Sequence, residues 1–234
     1  MTTTTTPTPE VGRYDDFAIT LGRTGLHLSK DVDWLPAREA HTLVAGAAGS
    51  GKTVFVQHVL RQVEAGEWGT WLADLRPPIS DTAAADRVGR SAEDYLQLVE
   101  DAHALMTSRY RDLFDGDLVP HRPLLLALEE PGTVLDAAGE QLLDALLRCG
   151  RGARIHVLIS AQNPSSRLLI GSVASSIAHR VGLGQLSPLS ARLLFGDHQR
   201  LLQLEDDTPG IGFIAGADRA PTLIAIPGPA QSLR

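Results

Sequence analysis

An eight-residue stretch, Gly46-Ala-Ala-Gly-Ser-Gly-Lys52-Thr53, stands between an apolar run and a helical pattern. It has the form G-x-x-x-x-G-K-[ST], in which glycines let the backbone approach a ligand closely. The apolar run before it is Leu43-Val44-Ala45, and after it apolar residues recur at helical spacing from Phe55 to Val63. The order of strand, loop and helix predicts a loop that binds phosphate.

The predicted loop opens onto a helix N-terminus, where free N–H groups and the helix dipole favour a phosphate group. Lys52 would add a positive charge at the outer phosphates, and the Thr53 hydroxyl would ligate Mg²⁺. A glycine-rich turn without a ligand is the alternative interpretation. The residues that we expect to bind the phosphates are Gly46, Ala47, Ala48, Gly49, Ser50, Gly51, Lys52, Thr53 and Val54.

The composition fits one α/β domain with a short N-terminal addition, because 43% of the 234 residues are hydrophobic. We expect residues 1–12, rich in threonine and proline, to be disordered, and residues 13–230 to form the domain, with a leading hairpin over 13–38. Cys149 is the only cysteine, which excludes an internal disulfide, and no His/Cys spacing resembles a zinc site.

Charge and hydropathy limit the partners of the chain. No apolar run approaches the ~18 residues of a membrane span, and the N-terminus has no signal-peptide pattern, which predicts a cytoplasmic protein without direct membrane insertion. The net charge of −7 argues against a surface that binds nucleic acid over its whole extent, but a local basic stripe is compatible with it. One of the two lysines, Lys30 and Lys52, lies in the predicted loop.

Strand patterns alternate with helical ones along the chain, which predicts an α/β fold with a mostly parallel sheet and helices on both faces. The longest predicted helix starts at a capping box formed by Ser91 and Asp94 and ends at Gly116. Two further helices are expected around residues 141–149 and 188–195. Strands are expected at residues 70–73, 124–128, 155–160, 177–183, 212–215 and 222–226.

Two carboxylates, Glu129 and Glu130, follow the apolar run 124–128. Because ligands bind at the carboxyl edge of parallel strands, we expect the pair to face the predicted loop. Glu129 would hold Mg²⁺, and Glu130 would position or polarise the attacking water. The common arrangement has Asp first, and the extra methylene of Glu129 moves the carboxylate by about 1 Å, which can cost about 10²-fold in rate. A solvated acidic turn before Pro131 is the alternative.

Two other polar residues stand at predicted strand ends. Gln162 is expected to contact the γ-phosphate or to orient water, and a polar loop residue is the alternative. Asp74 is either a site residue or a helix-capping or turn residue. The glycine pattern from Gly210 to Gly216 has one spacer too many for a dinucleotide fingerprint, and we exclude that role.

Several arginines are candidates to complete the site of a neighbouring subunit. Arg180 and Arg192 are expected near the ends of later elements, and for every candidate simple solvation is the alternative. A second group surrounds Gly150 and Gly152 and consists of Arg148, Arg151 and Arg154.

With these residues, the chain resembles the FtsK/SpoIIIE family of motor ATPases over roughly residues 19–226. The run His41-Thr-Leu-Val-Ala-Gly46 is similar to the family's Pro-His-Leu-Leu-Val-Ala-Gly, although Ala40 replaces the proline. Asp74 matches the Asp of the family's Asp-Pro-Lys, and Ser108-Arg109-Tyr110 resembles the Arg-Tyr that closes the long helix.

The resemblance continues through the second half of the chain. The run Gly150-Arg-Gly-Ala-Arg-Ile-His156 resembles the family's Gly-Arg-Ala-x-Gly-Ile-His, and Ala161-Gln-Asn-Pro-Ser165 resembles Thr-Gln-Arg-Pro-Ser. Gly171, Ile177, Arg180 and Arg192 then match family positions without a gap. The departures are Glu129 at the metal Asp, Leu75-Arg76 at the lysine after Asp74, and the missing membrane segments and winged-helix DNA reader.

The resemblance implies a RecA-like core that assembles as a ring hexamer, binds ATP between subunits and pumps double-stranded DNA through the pore. Arg167 is then the first candidate for a pore contact with DNA. TraB-type plasmid transfer motors are similar, which suggests a mobile-element context and membrane-anchored partner proteins. Two alternatives stay open: a protein-translocating ATPase like the EccC-type secretion motors, and a nucleotide-binding regulator that barely hydrolyses ATP.

Overall fold

We describe the chain from a computed structural model, which defines residues 14–75, 85–116, 120–164, 175–201, 204, 208–216 and 220–227. The predicted disordered tail, Arg76, Arg167 and Gly171 lie outside these described residues. Within the described ranges, ten strands form one sheet with α-helices on both of its faces.

The sheet contains a parallel part and an antiparallel part. Its strands are β1 (Ile19–Thr24), β2 (Lys30–Trp34), β3 (His41–Gly46), β4 (Gly69–Ala73), β5 (Arg87–Gly89), β6 (Leu124–Glu129), β7 (Ile155–Ala161), β8 (Ile177–Leu183), β9 (Ile211–Gly216) and β10 (Thr222–Ala225). Their order is β2-β1-β10-β9-β8-β3-β7-β6-β4-β5. The strands from β8 to β5 run parallel, and the other four are joined to β8 by antiparallel pairings. The predicted mostly parallel sheet is confirmed.

The helices start where the sequence provides caps. The α-helices are α1 (Lys52–Ala65), α2 (Ala92–Phe114), α3 (Pro131–Val134), α4 (Ala137–Cys149) and α5 (Pro188–Phe195). Ser91 and Asp94 form the predicted capping box of α2. The fourth helix begins earlier than expected because the Asp136 carboxylate accepts the N–H of Gly139. No helix in the described ranges is both long enough and apolar enough to cross a membrane.

Two features of the sheet differ from the sequence-based expectation. The strand β5 was not predicted, because three residues are too few to show a periodic pattern. The strands β1 and β2 pair as an antiparallel hairpin, and the connection of this hairpin to the main sheet, through the pairing of Arg23 with Ala225 of β10, was not predicted either. The hairpin is therefore the far edge of the ten-stranded sheet.

Each face of the parallel sheet is covered by its own helices. On one face, Phe55 and Val59 of α1 pack in a cluster with Leu125 of β6 and Leu158 of β7. On the other face, α2, α4 and α5 pack against the alternate strand residues, which include Leu126 and Val157. Coverage on both faces explains why β6 and β7 read as almost continuous apolar runs.

The Arg109-Tyr110 pair, which matches the family, fixes the end of α2 to the sheet. The buried Arg109 guanidinium donates to the carbonyl oxygens of Ala153 at 2.8 Å, Arg154 at 3.2 Å and Arg122 at 2.7 Å. Burial, followed by the nearby Arg154, lowers the pKa of Arg109 to about 10. The Tyr110 hydroxyl donates to the Cys149 carbonyl at 2.7 Å. These contacts give the pair a structural role at the end of the sheet opposite the predicted phosphate loop.

Two buried histidines lie beneath the amino ends of β3 and β7. His156 Nδ1 lies 2.7 Å from the Ala40 carbonyl and therefore carries the proton, so its Nε2 accepts from the Tyr14 hydroxyl at 2.8 Å. His41 Nδ1 accepts the N–H of Val157 at 2.9 Å. Burial, and for His41 also the neighbouring His156, lowers the pKa of His41 to about 3 and that of His156 to about 4. Both side chains are neutral in the folded protein.

The histidine pair predicts that the fold loses stability in mild acid. Both folded-state pKa values lie below the unfolded value near 6.5, so the stabilisation is complete above about pH 6.5 and declines as the pH falls towards 4. Each histidine should contribute a slope of about 1.4 kcal/mol per pH unit in this window. Urea unfolding at pH 7, 6 and 5 measures it. His156→Gln should remove the contribution of one histidine from the slope. A free energy of unfolding that does not change with pH in the wild type would contradict the claim that both buried histidines are neutral.

Candidate nucleotide-binding site

The predicted phosphate loop connects β3 to α1 and exposes its crest. Ala47, Ala48 and Gly49 are exposed, whereas Ser50 and Lys52 are buried. Gly49 has a φ of 80° and Gly51 a φ of 102°, a backbone region that favours glycine. A Cβ on Gly46 would clash with the Leu183 carbonyl and with Ser50 Oγ. The first, fourth and sixth residues of the motif are therefore glycine for steric or conformational reasons.

Lys52 begins α1 and turns its ammonium group back to the loop. Its Nζ donates to the Gly46 carbonyl at 2.7 Å and to the Ala47 carbonyl at 2.9 Å. The side chain is 5% exposed, so the charge is held directly under the loop rather than in solvent. Thr53 and Val54 follow in the first turn of the helix and are half-buried. This geometry holds a cation and a hydroxyl at the helix N-terminus, as phosphate and Mg²⁺ binding require.

Gly210, which sequence analysis did not assign to the phosphate loop, forms hydrogen bonds that support the loop. The Gly210 N–H donates to the Ser50 carbonyl at 2.9 Å, and the Gly210 carbonyl accepts from the Ile226 N–H at 2.7 Å. A Cβ on Gly51 would lie 2.9 Å from the Gly210 nitrogen. The glycine pattern that fails as a dinucleotide fingerprint thus contributes Gly210 as a brace for the phosphate loop. The one local sign of this role is the backbone conformation of Gly210, whose φ of 81° favours glycine.

Glu129 ends β6, and Glu130 follows it, at the same edge of the sheet as the loop. Glu129 is buried and pairs with Ser160 of β7, and Val44 of β3 pairs with Ser160 from the other side. Asp74 follows β4 and is also buried, and because Ala73 pairs with Leu128 it lies level with Glu129. The register therefore places Asp74 at the site edge, one of the two roles that the sequence left open.

Glu130 has an unusual backbone conformation. Its φ of 52° and ψ of 47° lie in the left-handed region, which costs a non-glycine residue of order 1–3 kcal/mol and is common at functional sites. Its N–H donates to the Ser160 carbonyl at 2.7 Å, and its own carbonyl accepts from the Thr133 N–H at 3.0 Å. Its carboxylate accepts the N–H of Gln162. Gln162 itself is exposed directly after β7.

Tyr95 of α2 lies beneath the three carboxylates. Its hydroxyl donates to the Glu129 carbonyl at 3.2 Å. Burial raises the pKa of Tyr95 well above its usual value, and the charges of Glu129, Glu130 and Asp74 raise it further. The hydroxyl therefore stays protonated and can hold the Glu129–Glu130 peptide. From the sequence, Tyr95 was only a core position of the helix, and nothing in the sequence pattern distinguishes it from one.

The residues at this edge fit a nucleotide with its cation. The open space beside Gly49 leaves room for phosphate oxygens, and Lys52, Thr53 and Glu129 would hold the phosphates and Mg²⁺. In the described part of the chain, no three Asp, Glu, His or Cys side chains converge to hold a metal ion. Mg²⁺ suits such a site because it keeps several waters and takes its other ligands from phosphates. The Oγ atoms of Ser50 and Ser160 are buried without a hydrogen-bond partner among the described residues.

The arginines divide into structural and exposed residues. Arg180 is the fourth residue of β8 and is half-buried between Leu43 and Ala215 of the adjacent strands, so the expectation that it lies near an element end is wrong. Arg192 is exposed in the last turn of α5, as expected. Of the two, only Arg192 presents an exposed side chain to a neighbouring molecule.

The three arginines around Gly150 lie near the amino end of β7 and contact other residues of the same chain. Arg148 pairs with Asp144 at 2.8 Å, and Arg151 donates to the Ala37 carbonyl at 3.1 Å. The Arg154 guanidinium lies 4.5 Å from the centre of the Tyr14 ring. These contacts are at the opposite end of the sheet from the phosphate loop.

Comparison with known proteins identifies the type of site. The DNA translocase FtsK of Oceanobacillus iheyensis is 23% identical to the chain over 197 residues, which cover 69% of the chain and 25% of that protein. The FtsK domain-containing protein YdcQ of Bacillus subtilis is 22% identical over 198 residues, which cover 75% of the chain and 40% of that protein. The chain is similar to P-loop ATPase domains of the FtsK type. No protein-family model matches it.

Solved structures share the fold of the chain. The pCW3 conjugation coupling protein TcpA, solved as a monomer with ATPγS, matches with a TM-score of 0.74 at 14% identity, over 95% of the chain and 70% of that protein. The cytoplasmic domain of the type VII secretion ATPase EccC from Thermomonospora curvata matches with a TM-score of 0.73 at 19% identity, over 94% of the chain and 29% of that protein. The predicted RecA-like P-loop fold is confirmed. The chain spans about a quarter to two fifths of the length of the curated relatives above.

Proposed function

We propose that this FtsK-type ATPase domain hydrolyses ATP at the edge formed by β3, β7 and β6 and uses the energy to move double-stranded DNA through a ring of subunits. One observation carries the chemistry: the phosphate loop that leads to Lys52 directly follows β3, Glu129 ends β6, and both strands pair with β7. The phosphate loop and the carboxylates therefore lie on the same edge of one rigid sheet.

Each residue at the edge has a distinct role in this proposal. Lys52 and the loop N–H groups bind the phosphates, and Thr53 and Glu129 hold the cation or its waters. A bound Mg²⁺ would offset the negative charge of the phosphates. Glu130 orients the attacking water, and its left-handed backbone fixes the direction of its carboxylate. Gln162 orients water or contacts the γ-phosphate from the β7 side.

The relatives support DNA as the substrate. Two of them are named as DNA translocases or FtsK-domain proteins, and TcpA is named as a conjugation coupling protein. The net charge of −7 makes a single subunit repel DNA at long range, so DNA binding in this proposal depends on assembly, which concentrates basic segments at a pore. The name of TcpA, a conjugation coupling protein, also supports a DNA-transfer context.

One structural observation supports the regulator alternative. The carboxylate of Glu130 accepts a hydrogen bond from the Gln162 N–H, so in this conformation one of its oxygens is already engaged. Together with Glu129 in place of Asp, this arrangement suits a protein that binds ATP and hydrolyses it slowly. Protein translocation is supported by the likeness to EccC alone.

The chemical roles predict opposite phenotypes for Lys52→Ala and Glu130→Gln. Removing the buried ammonium should weaken nucleotide binding by at least about 10²-fold, because the phosphates lose their charge-assisted partner. Glu130→Gln should leave binding intact and reduce turnover by about 10²–10⁴-fold, because only the nucleophile loses its orientation. Nucleotide titration and phosphate release measure both.

Matched controls are available within the chain. Lys30→Ala removes the only other lysine, which is exposed on β2, and Glu100→Gln removes an exposed carboxylate on α2. Both should behave like the wild type. Turnover that is unchanged in Glu130→Gln would reject Glu130 as the residue that acts on water.

The ring predicts that activity is shared between subunits. Arg192→Ala should lower turnover by about 10³-fold if its guanidinium completes the neighbour's site. Mixing this variant with Lys52→Ala should restore part of the activity, because some junctions then pair an intact Lys52 with an intact Arg192. Phosphate release across mixing ratios, with linear duplex DNA present, measures the effect. No restoration at any ratio, or full activity from a stable monomer, would contradict the shared site.

A further inference from the structure

The Ser160 hydroxyl occupies a central place in the site edge. Ser160 is the sixth of seven residues in β7, is 0% exposed, and pairs with Glu129 on one side and Val44 on the other. Leu158, two residues earlier, packs in the cluster that contains α1. Because side chains alternate along a strand, Ser160 and Glu129 lie on the α1 face, the face of the helix that Lys52 begins.

Burial of the Ser160 hydroxyl destabilises the folded state, and no contact within the described fold makes use of the hydroxyl. Among the described residues, Ser160 Oγ has no hydrogen-bond partner. A buried polar group left in this way destabilises the folded state, and alanine would fill the position without that penalty. Every other residue of β7 except His156 is apolar, and both nitrogens of His156 have partners. A partner for Ser160 that arrives with the ligand would explain the serine.

We infer that the Ser160 hydroxyl holds a water of the hydrated divalent cation beside Glu129. This inference rests on the proposed function and assigns it a further positioning residue. A metal-bound water has protons to donate, and a serine hydroxyl can accept one hydrogen bond while donating another to a carboxylate. Adjacent strands lie ~4.8 Å apart, so the hydroxyl and the Glu129 carboxylate are neighbours that one water can bridge. Mg²⁺ retains several waters in such sites.

A water shared by Ser160 and Glu129 also explains how a glutamate can replace the Asp that the family has at this position. The longer side chain has one more rotatable bond and needs an additional contact to fix its carboxylate. A water shared with Ser160 provides that contact. The Ser160 carbonyl also accepts the Glu130 N–H at 2.7 Å, so one residue of β7 positions both glutamates.

Ser160→Ala tests the inference because it predicts effects of opposite sign. Affinity for a fluorescent ADP analogue should be unchanged in EDTA and about fivefold to tenfold weaker in Mg²⁺, because only the cation loses a contact. The midpoint of urea unfolding without nucleotide should stay the same or rise, because an unpaired buried hydroxyl is removed. Ser160→Cys, with a thiol that hydrogen-bonds weakly, should show the same loss specific to Mg²⁺.

Thr42→Val is the matched control. Thr42 is 0% exposed, its Oγ1 also has no partner within the described ranges, and it lies on β3 two residues before Val44. The midpoint of urea unfolding of Thr42→Val should stay the same or rise, as for Ser160→Ala. The nucleotide affinity of Thr42→Val should not change in Mg²⁺ or in EDTA.

Two results would overturn the inference. Equal weakening of nucleotide binding by Ser160→Ala in Mg²⁺ and in EDTA would assign the hydroxyl to the phosphates, and a lowered unfolding midpoint would assign it to the fold. Failure of the proposed function is distinguishable, since the wild type would then bind no nucleotide in either condition.

Discussion

The parallel register of β3, β7 and β6 determines where the reactive groups lie. It aligns Val44, Ser160 and Glu129 in one row, and the phosphate loop begins just beyond that row on β3. A shift of one residue in β6 would turn Glu129 to the face covered by α2 and α4, away from α1. The apolar runs of β6 and β7, buried on both sides, fix this register, so core packing and site geometry are specified by the same residues.

The sequence predicted the parts of the site that depend on local patterns. The phosphate loop and the glutamate pair each follow a strand with a clear signal, and both strands are present. It did not predict Tyr95, Ser160 or Gly210 as site residues, because each reaches the site through contacts between elements distant in sequence. Arg180 was expected near an element end, although the predicted strand 177–183, which the structure confirms, already has it as the middle residue. The tail and Arg167 remain predictions.

The residues that match the FtsK family serve two different purposes. Arg109, Tyr110 and His156 lie at the amino end of the parallel strands and form hydrogen bonds that fix α2 and the sheet. Lys52 and Asp74 lie at the carboxyl edge of the strands. Glu129 lies at the same edge and replaces the Asp of the family pattern. The opposite edges therefore separate stability from chemistry, as is common in parallel α/β folds. A substitution at the first group should act on folding and one at the second on nucleotide handling.

Coupling of ATP hydrolysis to duplex DNA is the central claim of this account. Phosphate release by the purified chain, measured with and without linear duplex DNA across a salt series, tests it most directly. The account predicts stimulation by duplexes of unrelated sequence, lost steeply as salt rises because several phosphates are contacted at once. Measurable nucleotide binding with no stimulation by DNA at any salt concentration would contradict it.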